Sequence, residues 1–144
     1  MNLPRRFKRL SRKEKKLFFR AFRCLFVAFL KTSFLPMKKY IRCMGTENKV
    51  INFVPDEKTA AFLADLKQAI RRAAKYAPFK SKCLQQAYAG KLILNRENIP
   101  ATIFFGVAKD DMGGLKAHAW LKSGDFFVSG GKESPAFTVV SFFS

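Results

Sequence analysis

Apolar positions recur at helical spacing through the first two thirds of the chain. Leu17, Phe18, Ala21, Leu25, Ala28 and Phe29 repeat at steps of three and four, the mark of an amphipathic helix. Ser11-Arg12-Lys13-Glu14 precedes them and reads as a capping box, in which the Ser hydroxyl and the Glu carboxylate each accept a backbone N–H. The pattern predicts a helix from this cap to about residue 31. Beyond Pro36 it predicts a short basic helix over about 37–44, ended by Gly45. Residues 46–55 read as a linker in which Val50, Ile51, Phe53 and Val54 form an extended piece. A second strong helix is expected over about 56–76, with Ala60, Ala61, Leu63, Ala64, Leu66, Ala69, Ile70 and Ala73 as its buried stripe. Pro78 closes it. Ser81 is the expected cap of a third helix over about 82–96, with Cys83 in the first turn.

After Pro100 the period shortens to two. Residues 103–107 read as a strand and 110–114 as a turn. Residues 115–121 alternate, with Ala117, Ala119 and Leu121 on one face and Lys116, His118 and Trp120 on the other. Ser123-Gly124-Asp125 turns into a strand at 126–128, Gly130-Gly131 turns again, and 137–143 is the last strand. Helices first and an antiparallel meander afterwards give an α+β order.

Charge divides the chain. The 144 residues carry 28 Lys+Arg against 10 Asp+Glu, a formal net charge of +18. Residues 1–49 hold fifteen bases and two acids, Glu14 and Glu47, so +13 of that charge lies in a basic helical N-terminal segment. Residues 50–144 form the second unit, at +5. An anionic neighbour is implied: nucleic acid, an anionic membrane face or an acidic protein. The aromatics of the segment are Phe at helical spacing, without the interleaved stacking residues of a single-strand platform, which makes nucleic acid the least favoured of the three. A membrane-surface helix is open, with Phe18, Phe22, Leu25, Phe26 and Phe29 opposite the bases. Docking of a partner protein or an acidic leader is preferred.

Cys24, Cys43 and Cys83 are an odd count without short spacing, which argues against a disulfide framework and points to a reducing, cytoplasmic compartment. With one His, they do not make a metal site, and no cofactor is called for. The longest early apolar run is seven residues, Cys24 through Leu30, against the roughly 20 a membrane span needs. Neither a span nor a secretory signal is expected.

Cys83 and His118 are the pair with chemical potential. A thiol attacks as thiolate, and both a helix N-terminus and an imidazole favour that form. A helix-borne Cys with a strand-borne His is the logic of covalent acyl transfer. The plainer reading makes Cys83 a small buried hydrophobe and His118 a structural side chain. Residue types alone leave both open.

Larger pieces bear on the choice. Tyr76-Ala77-Pro78-Phe79 precedes Cys83-Leu84-Gln85-Gln86-Ala87. Asn98-Ile99-Pro100-Ala101, Gly106-Val107 and Ala117-His118-Ala119-Trp120-Leu121 follow, then Gly130-Gly131 and a Phe-rich end. Taken with Leu10-Ser11-Arg12-Lys13-Glu14-Lys15 and Phe34-Leu35-Pro36, the chain resembles the leader peptidases of lasso-peptide biosynthesis. The resemblance implies N-terminal helices followed by a transglutaminase-like, papain-related core, its Cys-bearing helix packed on a small antiparallel sheet. It implies a cysteine peptidase that removes the leader of a ribosomally made precursor peptide, so that a separate ATP-dependent lasso cyclase forms the macrolactam. At this length the standalone build is expected, with leader recognition by a separate winged-helix-like protein. The expected location is cytoplasmic, with peripheral contact at the inner membrane face as a further option. Cys83 matches the family nucleophile and His118 the general base. The family's orienting Asp has no clear match, since Ser129 and two Gly stand where it is expected. That role falls to Asp125 in the turn, to a backbone carbonyl, or to nothing. No oxyanion Gln is identified: Gln68 is remote, and Gln85 and Gln86 lie beyond Cys83. Trp120 either walls the substrate groove or is a packed aromatic. A non-catalytic scaffold of the same fold is the alternative to the enzyme.

Overall fold

Ser11 sets the start of the longest helix. Its hydroxyl accepts from the Glu14 N–H at 3.2 Å, and Glu14 accepts from the Ser11 N–H at 2.9 Å, which completes the capping box. The computed structural model describes residues 5–144. A single turn, α1 (Arg5–Lys8), precedes α2 (Arg12–Phe34). After Pro36 come α3 (Met37–Tyr40) and a 3-10 turn over Ile41–Met44. Residues 49–56 carry no regular structure. Asp56 then caps α4 (Glu57–Tyr76), accepting from the Thr59 N–H at 2.8 Å. The third long helix, α5, runs Cys83–Arg96.

The buried side of α2, including Phe18, Ala21, Leu25 and Ala28, packs against α4 and α5. Leu63, Leu66, Ile70 and Ala73 answer from α4, and Tyr88, Ile93 and Leu94 from α5. These residues share one core with Ile103, Ala119, Leu121, Val128 and Phe143 of the sheet. The basic segment thus contributes its apolar stripe to the same interior as the rest of the chain.

The strands are β1 (Thr102–Lys109), β2 (Leu115–Ser123), β3 (Phe126–Ser129) and β4 (Thr138–Phe143). They pair antiparallel in the order β3-β2-β1-β4. The meander expected from sequence holds for the first three strands only. The fourth crosses back to the free edge of β1, where Phe142 lies opposite Phe104 with the two rings tilted at 31° and 5.6 Å apart. The α5 backbone lies directly on β2. A Cβ at Gly90 would fall 2.5 Å from a Leu121 methyl and 3.1 Å from one of Ile70.

Candidate active site

Cys83 occupies the first position of α5. The cap is Lys82, not Ser81, whose hydroxyl is buried without a partner. Two glutamines tie the turn before the helix to its surroundings and leave the first-turn N–H groups free. The Gln85 side chain accepts from the Lys82 N–H at 3.0 Å and donates to Thr32 of α2 at 2.9 Å. The Gln86 amide donates to the Ser81 carbonyl at 2.8 Å. Phe79, in the loop before the cysteine, meets Phe22, Phe26 and Phe29 at ring distances of 5.9, 5.5 and 5.0 Å. The Phe stripe of α2 therefore anchors the cysteine loop. The first-turn N–H groups beside Cys83 have no carbonyl behind them in the helix and carry its positive end.

His118 sits opposite Gly106 in the β1–β2 register. Its ring lies on Trp120 at 5.7 Å and 23°, and beside Phe137 at 4.9 Å. Its Nε2 is 2.8 Å from the Gly130 carbonyl oxygen. A carbonyl only accepts, so Nε2 carries the proton and Nδ1 is the basic nitrogen. Gly106 makes room for this arrangement: a Cβ there would meet the Trp120 ring at 2.8 Å and Phe137 at 2.9 Å.

Cys83 and His118 line one cavity of about 500 Å³. Lys67, Ile70 and Arg71 of α4, Gln86 of α5, Val128 and Ser129 of β3, and the turn from Gly130 to Glu133 complete its wall. A carbonyl-anchored imidazole, a thiol at a helix start and unpaired N–H groups beside it are the parts of an acyl-transfer centre. A family model described as the transglutaminase-like superfamily matches residues 48–141, a span that contains both side chains. The chain belongs to that superfamily. No curated protein and no solved structure gives a significant match. The superfamily includes cysteine peptidases. In this transglutaminase-like chain α2 precedes the matched span, although it packs against the helix that bears Cys83.

Asp125 does not reach the imidazole of this transglutaminase-like site. It lies fully exposed in the β2–β3 turn, 3.9 Å from Lys122, and borders a different cavity with Phe53 and Phe104. The backbone carbonyl of Gly130 takes the place open to it. Trp120 is no groove wall either. It is buried between Phe104, stacked at 5.7 Å and 9°, and the His118 ring, so it supports the imidazole from behind. Gln86, set aside in the sequence as lying beyond the cysteine, lines the cavity: three residues on in a helix is the same face. Gln68 lies in the α2–α4 cleft with Arg20 and Arg72.

Among the described residues no group of three or more His, Cys, Asp or Glu side chains is placed to hold a metal. None of the described helices is long and apolar enough to cross a membrane.

Proposed function

We propose that this transglutaminase-like chain is a cysteine peptidase that cuts the leader from a lasso-peptide precursor, ahead of macrolactam formation by a separate ATP-dependent cyclase. The observation that carries the peptidase reading is the shared cavity of Cys83 and a His118 whose Nε2 is committed to Gly130. The lasso-precursor substrate rests on the resemblance of the Cys83 and His118 motifs and their spacing.

Nδ1 of His118 takes the Cys83 thiol proton, and the sulfur bonds to the carbonyl carbon at the leader–core junction. The oxyanion is held by N–H groups of the first turn of α5. The C–N bond breaks as Nδ1–H protonates the leaving amine, which becomes the N-terminus of the core peptide. Water then attacks the thioester, giving up a proton to Nδ1. The C–S bond breaks, the leader leaves with a C-terminal carboxylate, and the thiol is restored.

A separate recognition protein presents the leader. The outer face of α2 is assigned to it: Phe19, Phe26, Leu30 and Phe34 are exposed there, with Arg12, Lys16 and Arg23 on the same side of the chain. The test is cleavage of purified precursor with that partner present. Cys83→Ala and His118→Ala are expected to abolish cleavage while leaving the circular dichroism spectrum intact. Cutting by both variants at the wild-type rate refutes the peptidase reading.

A further inference from the structure

Ser129 is 8% exposed, its hydroxyl has no hydrogen-bond partner, and it lines the cavity shared by Cys83 and His118. A buried hydroxyl without a partner is a bonding site left open. The Ser129 oxygen is itself closed off from solvent, so a ligand atom in the cavity meets it after a turn of the side chain to another rotamer. Around the same cavity stand Lys67, Arg71 and Lys132 against a single acid, Glu133, on the exposed rim. Among the described residues none of these three bases is in a salt bridge. Lys67 lines the cavity and its ammonium lies over the neighbouring Phe126 ring, 5.4 Å from the centroid. A concave site lined by one sign of charge focuses potential on its interior.

We propose that this cavity is a carboxylate subsite, which takes an Asp or Glu side chain of the peptide beside the scissile bond. Ser129 donates a hydrogen bond to the carboxylate, and Lys67, Arg71 and Lys132 supply the countercharge. At about 500 Å³ the cavity has space for one such side chain together with the backbone flanking the reacting carbonyl. Ser129 and the bases come from three elements, β3, α4 and the turn after β3, so the subsite exists only in the folded chain. This inference deepens the peptidase reading and rests on it for the identity of the ligand. The anion preference of the cavity is measurable without any cleavage.

The experiment uses the full chain and two alkylating probes of similar size, iodoacetate and iodoacetamide, with Cys83 modification followed by mass spectrometry at fixed pH and low salt. The ratio of the two rates removes the ionisation of Cys83, which is common to both. The iodoacetate-to-iodoacetamide ratio at Cys83 is expected to exceed that of a free cysteine derivative by about tenfold, the low end of steering by a charged cleft. It is expected to shrink on adding salt. Arg71→Gln with Lys132→Gln, both exposed positions, is expected to lower the ratio several-fold, and Ser129→Ala to lower it further. His118 is intact in every variant, so its own charge does not account for the change. A ratio equal to that of the free thiol, or one unmoved by the Arg71/Lys132 pair, overturns the subsite. A second arm compares precursor peptides with Glu or Gln next to the cut bond. Faster cleavage of the Glu peptide supports the subsite, and equal rates overturn it. If no peptide is cut yet the alkylation ratio behaves as expected, the peptidase reading fails and the anion subsite stands.

Discussion

The Gly130 carbonyl oxygen is 2.8 Å from Nε2 of His118, and Gly130 itself has no room for a side chain. Its φ of +69° is the left-handed region that L side chains rarely adopt. A Cβ there would lie 2.7 Å from the Ala119 oxygen and 3.0 Å from His118 Nε2. The glycine thus both orients the imidazole and leaves space for it. Gly130→Ala is expected to cost roughly 1–3 kcal/mol of stability. Cleavage should fall by about 100-fold or more, because the base loses its position. Urea denaturation and kcat/KM on the precursor read the two effects.

Because a carbonyl orients the ring, no carboxylate is needed. Asp125→Asn is expected to leave kcat/KM within about twofold of wild type, the range of ordinary surface substitutions. A loss of 100-fold would restore Asp125 to the catalytic group and refute the role given to Gly130.

Trp120 separates a support from a groove wall. It stacks on Phe104 at 5.7 Å and on His118 at 5.7 Å, and it is not among the residues that line the cavity. Trp120→Phe keeps a ring but shortens it, so kcat is expected to fall while KM stays nearly constant. A groove residue would raise KM instead. Trp120→Ala removes the buried ring and should cost about 3–5 kcal/mol.

The helices were legible because local rules and tertiary packing agree in them. The Ser11–Glu14 box and the Asp56 cap stand where the apolar repeats begin. Cys83 stands in a first turn although the expected Ser81 cap does not form, because the cap falls one residue later at Lys82, and His118 stands on a strand because residues 115–121 alternate. What remained hidden depends on contacts distant in sequence. The return of β4 to β1 is a choice of edge, and no local pattern encodes it. The orienting group of His118 is a main-chain oxygen, and every residue has one; only the Gly-Gly turn hinted at an unusual backbone there. Ser129 stands in the sequence at the place of the missing acid, but its lack of a partner is a property of the folded wall.

The dependence of the matched span on α2 is open to a direct test. Residues 48–141 match the family, yet Phe18 and Leu25 of α2 are 3% and 0% exposed against α4 and α5. Burying two such side chains contributes about 3–6 kcal/mol, and the whole domain has only about 5–15 kcal/mol. A fragment of residues 48–144 is therefore expected to lack a cooperative thermal transition. The milder Ser11→Ala change should cost about 1 kcal/mol through the lost cap. A fragment that melts like the full chain would show that α2 is dispensable.

Lys91 makes stability depend on pH in the alkaline range. It is 3% exposed on α5, and its ammonium donates to the Ala101 carbonyl at the start of the sheet. Burial lowers its pKa from an ordinary 10.5 to about 8. The folded pKa lies below the unfolded one, so between these values the unfolded chain binds more protons and stability rises with pH. Below about pH 8 both states are protonated and the full penalty, about 3 kcal/mol, is present. Burial pushes Cys24, Tyr40 and Tyr88 the other way, so their contribution declines from about pH 9 upward. The rise due to Lys91 is thus clearest between about pH 8 and 9. Lys91→Met removes the buried charge but leaves the Ala101 carbonyl without this donor, at a cost of roughly 1–3 kcal/mol. The two effects nearly cancel at pH 7, where the variant should be within about 2 kcal/mol of wild type. The slope is what separates them: denaturation midpoints of wild type should climb from pH 8 to 9 relative to those of Lys91→Met. Parallel curves through that window would mean that Lys91 keeps its charge unperturbed in the fold.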